Sequence, residues 1–261
     1  YSWDNFDTFR KVPKNIPSPE SFAQHLREPI ARIPDPWDKS KTYAQGRIDE
    51  FEHELTQLGI NPEYLYQESL YAKSEYAQNI RTALENKEKI RTILNEHRTT
   101  PLAKDWLPTV VYCSSCNKDE MDYQTYEGGW NYRYRCSNCS LEETIKINQT
   151  KNLKLIWRVD WPMRWHHEQV DFEPGGKDHS SQGGSFDTGR TIIKEIWNSI
   201  APNYLQYDFV AIKGGSGKMS SSTGELLTLS DLLKVYEPQI IRWIFASHRP
   251  NHDFSIALDE D

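Results

Sequence analysis

QYDFVAIKGGSGKMSSSTGE, residues 206–225, is a predicted strand that runs into a glycine-rich loop. Its first part, QYDFVAIKG, is rich in aromatic and β-branched residues, as strands are. The part that follows holds Gly214, Gly215, Gly217 and Gly224, which permit positive φ and close backbone approach. Serine hydroxyls and the mobile cation of Lys218 add groups that grip phosphate oxygens. This chemistry suits a polyphosphate, although a Gly/Ser/Lys loop judged on composition alone is more often a flexible linker.

Strand and helix alternate on both sides of this loop. LKLIWRVDW and EQVDFEPGG read as short strands and TIIKEIW as a helix. SDLLKVY and PQIIRWIFASH read as two more helices, the second opened by Pro238 at a first-turn position. The alternation over residues 152–247 predicts an α/β unit. Further upstream, the prolines between residues 12 and 38 exclude a continuous helix and predict an extended connector. Ile48, Phe51, Leu55 and Leu58 then recur at helical spacing, and Tyr76, Ile80, Ala83, Leu84, Ile90 and Leu94 mark a longer amphipathic helix ending near Arg98. From Leu107 the pattern turns to β, with a hairpin signal at Gly128-Gly129.

The four cysteines form two CxxC pairs, Cys113 with Cys116 and Cys136 with Cys139. Two such pairs on facing hairpin turns place four thiolates around one point, as tetrahedral zinc requires. Four protein ligands close the coordination sphere, so the expected role of the zinc is structural. Disulfides or a redox dithiol are the alternatives. Tyr123, Tyr126, Trp130, Tyr132, Arg133 and Arg135 in the same module offer either an RNA-facing surface or, as aromatics at period two more often do, the hairpin's own core.

The net charge of -7 argues against a protein that coats nucleic acid by bulk electrostatics, while leaving room for local basic patches. No apolar run is long enough for a membrane-spanning helix, so no membrane partner is expected and the location is read as cytoplasmic. YSWDNFDTFRKVP opens the chain without an initiator Met, like the end of a buried strand and a loop, which suggests a piece of a larger protein.

Lys218, Met219, Ser220, Ser221 and Ser222 resemble the KMSKS signature of class I aminoacyl-tRNA synthetases. WRVDWPMRW (157–165), VDFEPGGKDHSSQGGSFDTGR (170–190) and DNFDTFRKVPKNIP (4–17) extend the match, and together they resemble the class I lysyl-tRNA synthetases over essentially the whole chain. The resemblance implies lysine, ATP and tRNA(Lys) as partners, Mg2+ with the nucleotide, and one structural Zn2+. It places Gly176, Asp178, His179, Lys218, Met219 and Ser221 at ATP, and Trp157, Asp160 and His179 around lysine. Lys218, Ser220, Ser221 and Ser222 become the catalytic loop. Each has a plainer reading: Trp157, Trp161 and Trp165 as core, Asp160 as an ion pair with Arg158 or Arg164, Asp178 as a helix cap, His179 as a satisfied half-buried ring.

The implied fold class is α/β, an incomplete Rossmann-like nucleotide fold with a helical insertion and a zinc-ribbon module. Residues 1–30 would be a remnant of its first half with a connector, 31–106 the helical insertion and 107–150 the zinc ribbon. Residues 151–229 would be the second half with the KMSSS loop, and 230–261 a helical segment leading to an anticodon domain.

Three departures from the family pattern qualify this expectation. Ser221 stands where the signature usually has a second lysine, with Lys213 and Lys177 as substitute cations. The HIGH-type signature is expected upstream of Tyr1, so the polypeptide alone is expected to make no lysyl-adenylate. Archaeal members carry a second metal site in the stretch matching PDPWDKSKTYAQG; here Asp35 remains but Lys39, Ser40 and Gly46 replace the ligands, so one metal is expected. The competing readings are a synthetase paralogue acting on another acceptor or amino acid, and a non-catalytic RNA-binding module built around the zinc ribbon.

Overall fold

The computed structural model describes residues 1–213 and 227–257. The phosphate loop, with Lys218, Met219, Ser220, Ser221 and Ser222, lies outside the described residues. In chain order the elements are β1 (Ser2–Trp3), α1 (Pro19–Phe22), α2 (Tyr43–Gln57), β2 (Leu65–Tyr66), α3 (Gln67–Ala72), α4 (Ala77–Glu85) and α5 (Lys87–Asn95). Then come β3 (Thr109–Val111), β4 (Met121–Gly128), β5 (Asn131–Cys136), β6 (Glu142–Lys146), β7 (Leu153–Leu155), α6 (Trp157–Glu168) and β8 (Phe172–Gly176). The last are α7 (Ser185–Trp197), β9 (Asn203–Tyr207), β10 (Val210–Ile212), α8 (Leu229–Val235), α9 (Pro238–Ser247) and β11 (Phe254–Ile256). The whole is a mixed α/β structure, and no described helix is long and apolar enough to cross a membrane.

The chain divides into two compact units, one of Tyr1–Tyr66 with Tyr207–Asp261 and the other of Gln67–Gln206, so the division falls inside the stretch 31–106. In the first unit β1 runs parallel to β2 and β10 parallel to β11. Leu58, Leu232, Ile241 and Ile256 form one apolar core there, and Phe9, Ile16, Phe22 and Ile33 another. Asp35 organises the proline-rich connector: its Oδ1 accepts from the amides of Trp37 and Asp38 at 2.7 and 3.0 Å. A Cβ at position 46 would stand 1.9 Å from Asp35 Oδ2, so Gly46 is required for the carboxylate to lie against α2.

In the second unit the expected long helix is broken. Asn86 separates α4 from α5 and turns its side-chain amide onto the Thr82 carbonyl at 2.9 Å, the local competition for backbone partners that disfavours asparagine inside helices. β4, β5 and β6 form an antiparallel sheet whose first hairpin turns at Gly128 and Gly129, with φ of 93° and 59°. Both angles lie in the left-handed region that favours glycine.

LKLIWRVDW is not one strand. Only Leu153–Leu155 pairs, antiparallel to β3, and the helix α6 begins at Trp157. The spacing of Trp157, Trp161 and Trp165 sets one face of that helix, and tertiary burial of Val159 through Trp165 outweighs the hydrogen bond that Pro162 removes from its interior. The α6 helix packs on α7, which ends at Asn198 in the left-handed conformation with φ of 50°.

Candidate active site and metal centre

Helix α6 builds an aromatic wall. Trp157 stacks on Trp161 with ring centroids 5.1 Å apart, and Trp161 leans on Trp165 at 4.8 Å. Trp161, Trp165, Phe186 and Ile193 form the apolar core behind it, while Trp157 is half-buried. Gly189 of α7 makes room for this packing, because a Cβ there would meet the Trp165 ring at 2.9 Å. The half-buried ring of His179 closes one side, 6.1 Å from Trp157 and 5.7 Å from Trp161.

Asp160 lies on the same helix. It is 3% exposed, accepts a hydrogen bond from the Tyr71 hydroxyl and lies 3.2 Å from the Nε of Arg164 one helical turn on. The Arg164 guanidinium in turn covers the Trp157 ring at 5.4 Å. Asp160 thus makes the ion pair with Arg164 that is one of its plainer readings. Burial, then the neighbouring Asp160 charge, raises the Tyr71 hydroxyl well above the ordinary range and keeps it a donor.

The carboxylate that does reach the tryptophans is Glu173, on β8. Trp165 Nε1 donates to its Oε2 at 2.8 Å, and burial raises its pKa from the usual value against the opposing effects of that bond and of Arg164. Nothing local in the sequence distinguishes Glu173 from any strand glutamate. Its signal is the distance to two tryptophans that only the fold supplies.

Gly176 is buried at the end of β8, and Lys177–His179 form a 3-10 turn on which Asp178 is exposed. Asp178 does not cap α7: the cap position is Gly184, and Asp187 Oδ2 accepts the Gly183 amide at 2.9 Å. Gly184 is pressed against the chain, for a Cβ there would lie 2.6 Å from the His179 carbonyl oxygen. Ser180 ties the turn down through the Gly176 carbonyl at 3.0 Å and the Tyr204 hydroxyl at 2.8 Å. Gly176, Asp178, His179 and Trp157 thus fall on adjoining elements of one unit, and the lysine and serines of the phosphate loop lie outside the described residues.

The four cysteine sulfurs lie within 4.8 Å of one another, with Cys113 3.5 Å from Cys139 and Cys116 3.6 Å from Cys136. Sulfurs of a tetrahedral site with bonds of about 2.3 Å stand at about such separations, and none of the four cysteines is in a disulfide. The two turns that carry them repeat one geometry. The Cys113 carbonyl accepts the Asn117 amide at 2.9 Å, as the Cys136 carbonyl accepts the Ser140 amide at 3.0 Å, and Asn117 and Ser140 share positive φ. The Cys113 and Cys136 amides donate onward to Lys118 and Leu141 at 2.9 and 2.8 Å. Burial pushes the Cys136 thiol up to about 12, whereas the Leu141 amide holds Cys139 down to about 7. The donor set fits a single metal ion that supplies the charge needed to ionise all four thiols.

Around this centre Tyr132 and Tyr134 are fully buried, while Arg133 pairs with Glu142 and Arg135 with Asp122. Tyr132 and Tyr134 are core residues here, Tyr126 and Trp130 are half-buried and Tyr123 is exposed, while both arginines are paired.

The sequence matches the family of tRNA synthetases class I (K) over residues 1–261. It is 46% identical to a lysine–tRNA ligase of Borreliella burgdorferi across 100% of this chain and 50% of that protein. It is 44% identical to one of Treponema pallidum, with 100% and 50% covered, and 45% identical to one of Pyrococcus horikoshii, with 99% and 49% covered. The chain spans about half the length of the curated relatives it matches. A family match along the whole chain, with relatives 44–46% identical, makes this chain a member of the class I (K) tRNA synthetases.

Proposed function

We propose that the chain carries lysine- and ATP-binding parts of a cytoplasmic lysine–tRNA ligase, with tRNA(Lys) as the acceptor. In that reaction a lysine carboxylate oxygen attacks the α-phosphorus of ATP and the bond to pyrophosphate breaks. The terminal ribose hydroxyl of the tRNA then displaces AMP from the lysyl-adenylate, passing its proton to solvent. No covalent enzyme intermediate is needed, so the work of the protein is positioning and charge stabilisation.

The observation that carries this reading is the wall of Trp157 and Trp161 with the His179 ring beside it and the Glu173 carboxylate behind. An alkyl-ammonium side chain is matched by aromatic faces and one carboxylate, whereas a glutamate side chain calls for unpaired cations. Trp157 and His179 take the lysine side chain, and Asp160 holds Trp157 in place through Arg164. Gly176, Asp178 and His179 take the ATP ribose side, and Lys218, Met219, Ser220, Ser221 and Ser222 the phosphates, within a Rossmann-like class I nucleotide fold. Mg2+ bound with ATP supplies further positive charge at the phosphates. Cys113, Cys116, Cys136 and Cys139 hold one zinc, which ties the turn after β3 to the β5–β6 turn and leaves no position for substrate. The ion pairing of Arg133 and Arg135 weighs against a zinc-ribbon module that binds RNA by itself.

Lysine-dependent ATP–pyrophosphate exchange, measured in the protein with its natural termini, tests the reading. Replacing Lys218 by Ala should cost on the order of 3 kcal/mol of transition-state stabilisation, mostly in rate. An unchanged exchange rate in that variant would remove Lys218 from the catalytic loop.

A further inference from the structure

Within the Gln67–Gln206 unit a cavity of about 420 Å³ opens between the chain that follows α5 and the first turn of α6. Its polar lining comes from His97, Arg98, Thr99, Thr100, Arg158 and Gly183. Leu94, Leu102 and Ile156 supply the apolar part. In a chain of net charge -7, none of these lining residues is acidic.

Both arginines are held in place by hydrogen bonds to backbone carbonyls. Arg98 donates through Nε to the Thr100 carbonyl at 3.1 Å, which turns its residues into a short clasp. Arg158 donates to the Gly183 carbonyl at 3.1 Å and approaches the Thr188 hydroxyl at 3.4 Å. Neither pairs with a carboxylate among the described residues, whereas the arginines of the zinc module do. The Asp187 carboxylate accepts the Gly183 amide at 2.9 Å through Oδ2 and keeps its negative charge. Gly183 has φ of 70°, and a Cβ there would strike the His97 side chain at 2.7 Å, so only glycine allows His97 to sit against this wall.

The position of the cavity gives it a role. Arg158 directly follows Trp157 in the chain, and Gly183 precedes Gly184, which is packed against the His179 backbone. The cavity therefore borders the segments that carry the candidate lysine and ATP residues. Arginine forks, threonine hydroxyls and a histidine N–H are donors, and together they match phosphate oxygens. ATP is already provided for by the GKDH turn and the KMSSS loop. An RNA strand that delivers its terminal hydroxyl to the same turn must lay its backbone phosphates along the surface beside it.

We infer that the cavity between Arg98 and Arg158 is a phosphodiester subsite that seats the backbone of the RNA acceptor strand during lysyl transfer. This inference rests on the proposed ligase function for the identity of the RNA. Arg98 makes the contact from the exposed side, and Arg158 from the side that supports the Gly183 turn.

The test uses the protein with its natural termini and unmodified tRNA(Lys) transcript in direct binding titrations over a range of salt, alongside ATP–pyrophosphate exchange. Arg98→Ala should weaken tRNA binding on the order of ten-fold and lower the slope of log affinity against log salt by about 1. Arg98→Glu should weaken it further, and Arg98→Lys should restore most of the loss, all with the melting temperature and exchange kinetics unchanged. Unchanged tRNA affinity and salt slope in Arg98→Glu would overturn the inference. So would a rise in the KM for ATP or pyrophosphate without a change in tRNA binding, which would assign the cavity to nucleotide phosphates. If the unaltered protein shows no lysine-dependent exchange, the ligase reading fails, and the binding titrations still decide the RNA subsite.

Discussion

At the base of the tryptophan wall, Glu173 keeps its carboxylate against indole N–H groups in surroundings that favour its neutral form. A substrate ammonium beside Glu173 would add to the Arg164 charge in favouring the carboxylate, so lysine should bind best once Glu173 is ionised. Glu173→Gln should raise the KM for lysine roughly thirty-fold, which corresponds to about 2 kcal/mol for a lost charge-assisted pair. In the unaltered protein the KM for lysine should fall as pH rises through a value above the usual glutamate range, and in Glu173→Gln that limb should vanish. Steady-state exchange kinetics across pH check both. The same raised pKa means that this group's stabilising contribution is full at low pH and declines as pH rises through its folded value. Asp160 shows the reverse of Glu173: its place in WRVDWPMRW makes it conspicuous in sequence, yet Tyr71 and Arg164 engage it inside the unit. A sequence motif marks which residues are adjacent in the chain, while burial and pairing decide which of them can meet a ligand.

Among the elements, the cysteine turns were the most legible. Each CxxC pair and its turn lie within a few residues, and the repeated amide-to-carbonyl pattern needs no distant partner. The hairpin glycines were legible for the same reason. Helix α6 was not, because its apolar lead-in resembles a strand and Pro162 speaks against helix, while the burial that overrides both comes from α7. The break at Asn86 was likewise hidden in an amphipathic pattern that continues across it. The metal centre can be tested at this scale. Elemental analysis should find one zinc per chain, and stripping it with a chelator should lower the melting temperature and open the β4–β6 module to proteolysis. Two tightly bound zinc ions, or a module unaffected by chelation, would contradict the assignment.

Across the molecule, the α/β class and the family were both readable from sequence, since strand and helix alternation and the signature-like segments run nearly end to end. The division into two units was not, because it depends on which distant segments pack together, as Tyr1–Tyr66 does with Tyr207–Asp261. The cavity beside Arg158 was hidden for a related reason: one arginine lies in the chain after α5 and the other in α6, and no periodicity connects them. What unites the candidate site is the Gln67–Gln206 unit, in which α6, β8 and the GKDH turn bring Trp157, Glu173 and His179 together. This constellation is expected to recognise lysine in its activated form. Isothermal titration of the protein with a non-hydrolysable lysyl-adenylate analogue, beside its glutamyl counterpart, tests this recognition most directly. The lysyl analogue should bind, Trp157→Ala should weaken it at least ten-fold, and the glutamyl analogue should bind far less tightly. Equal affinity for the two analogues, or an undiminished lysyl affinity in Trp157→Ala, would contradict the account.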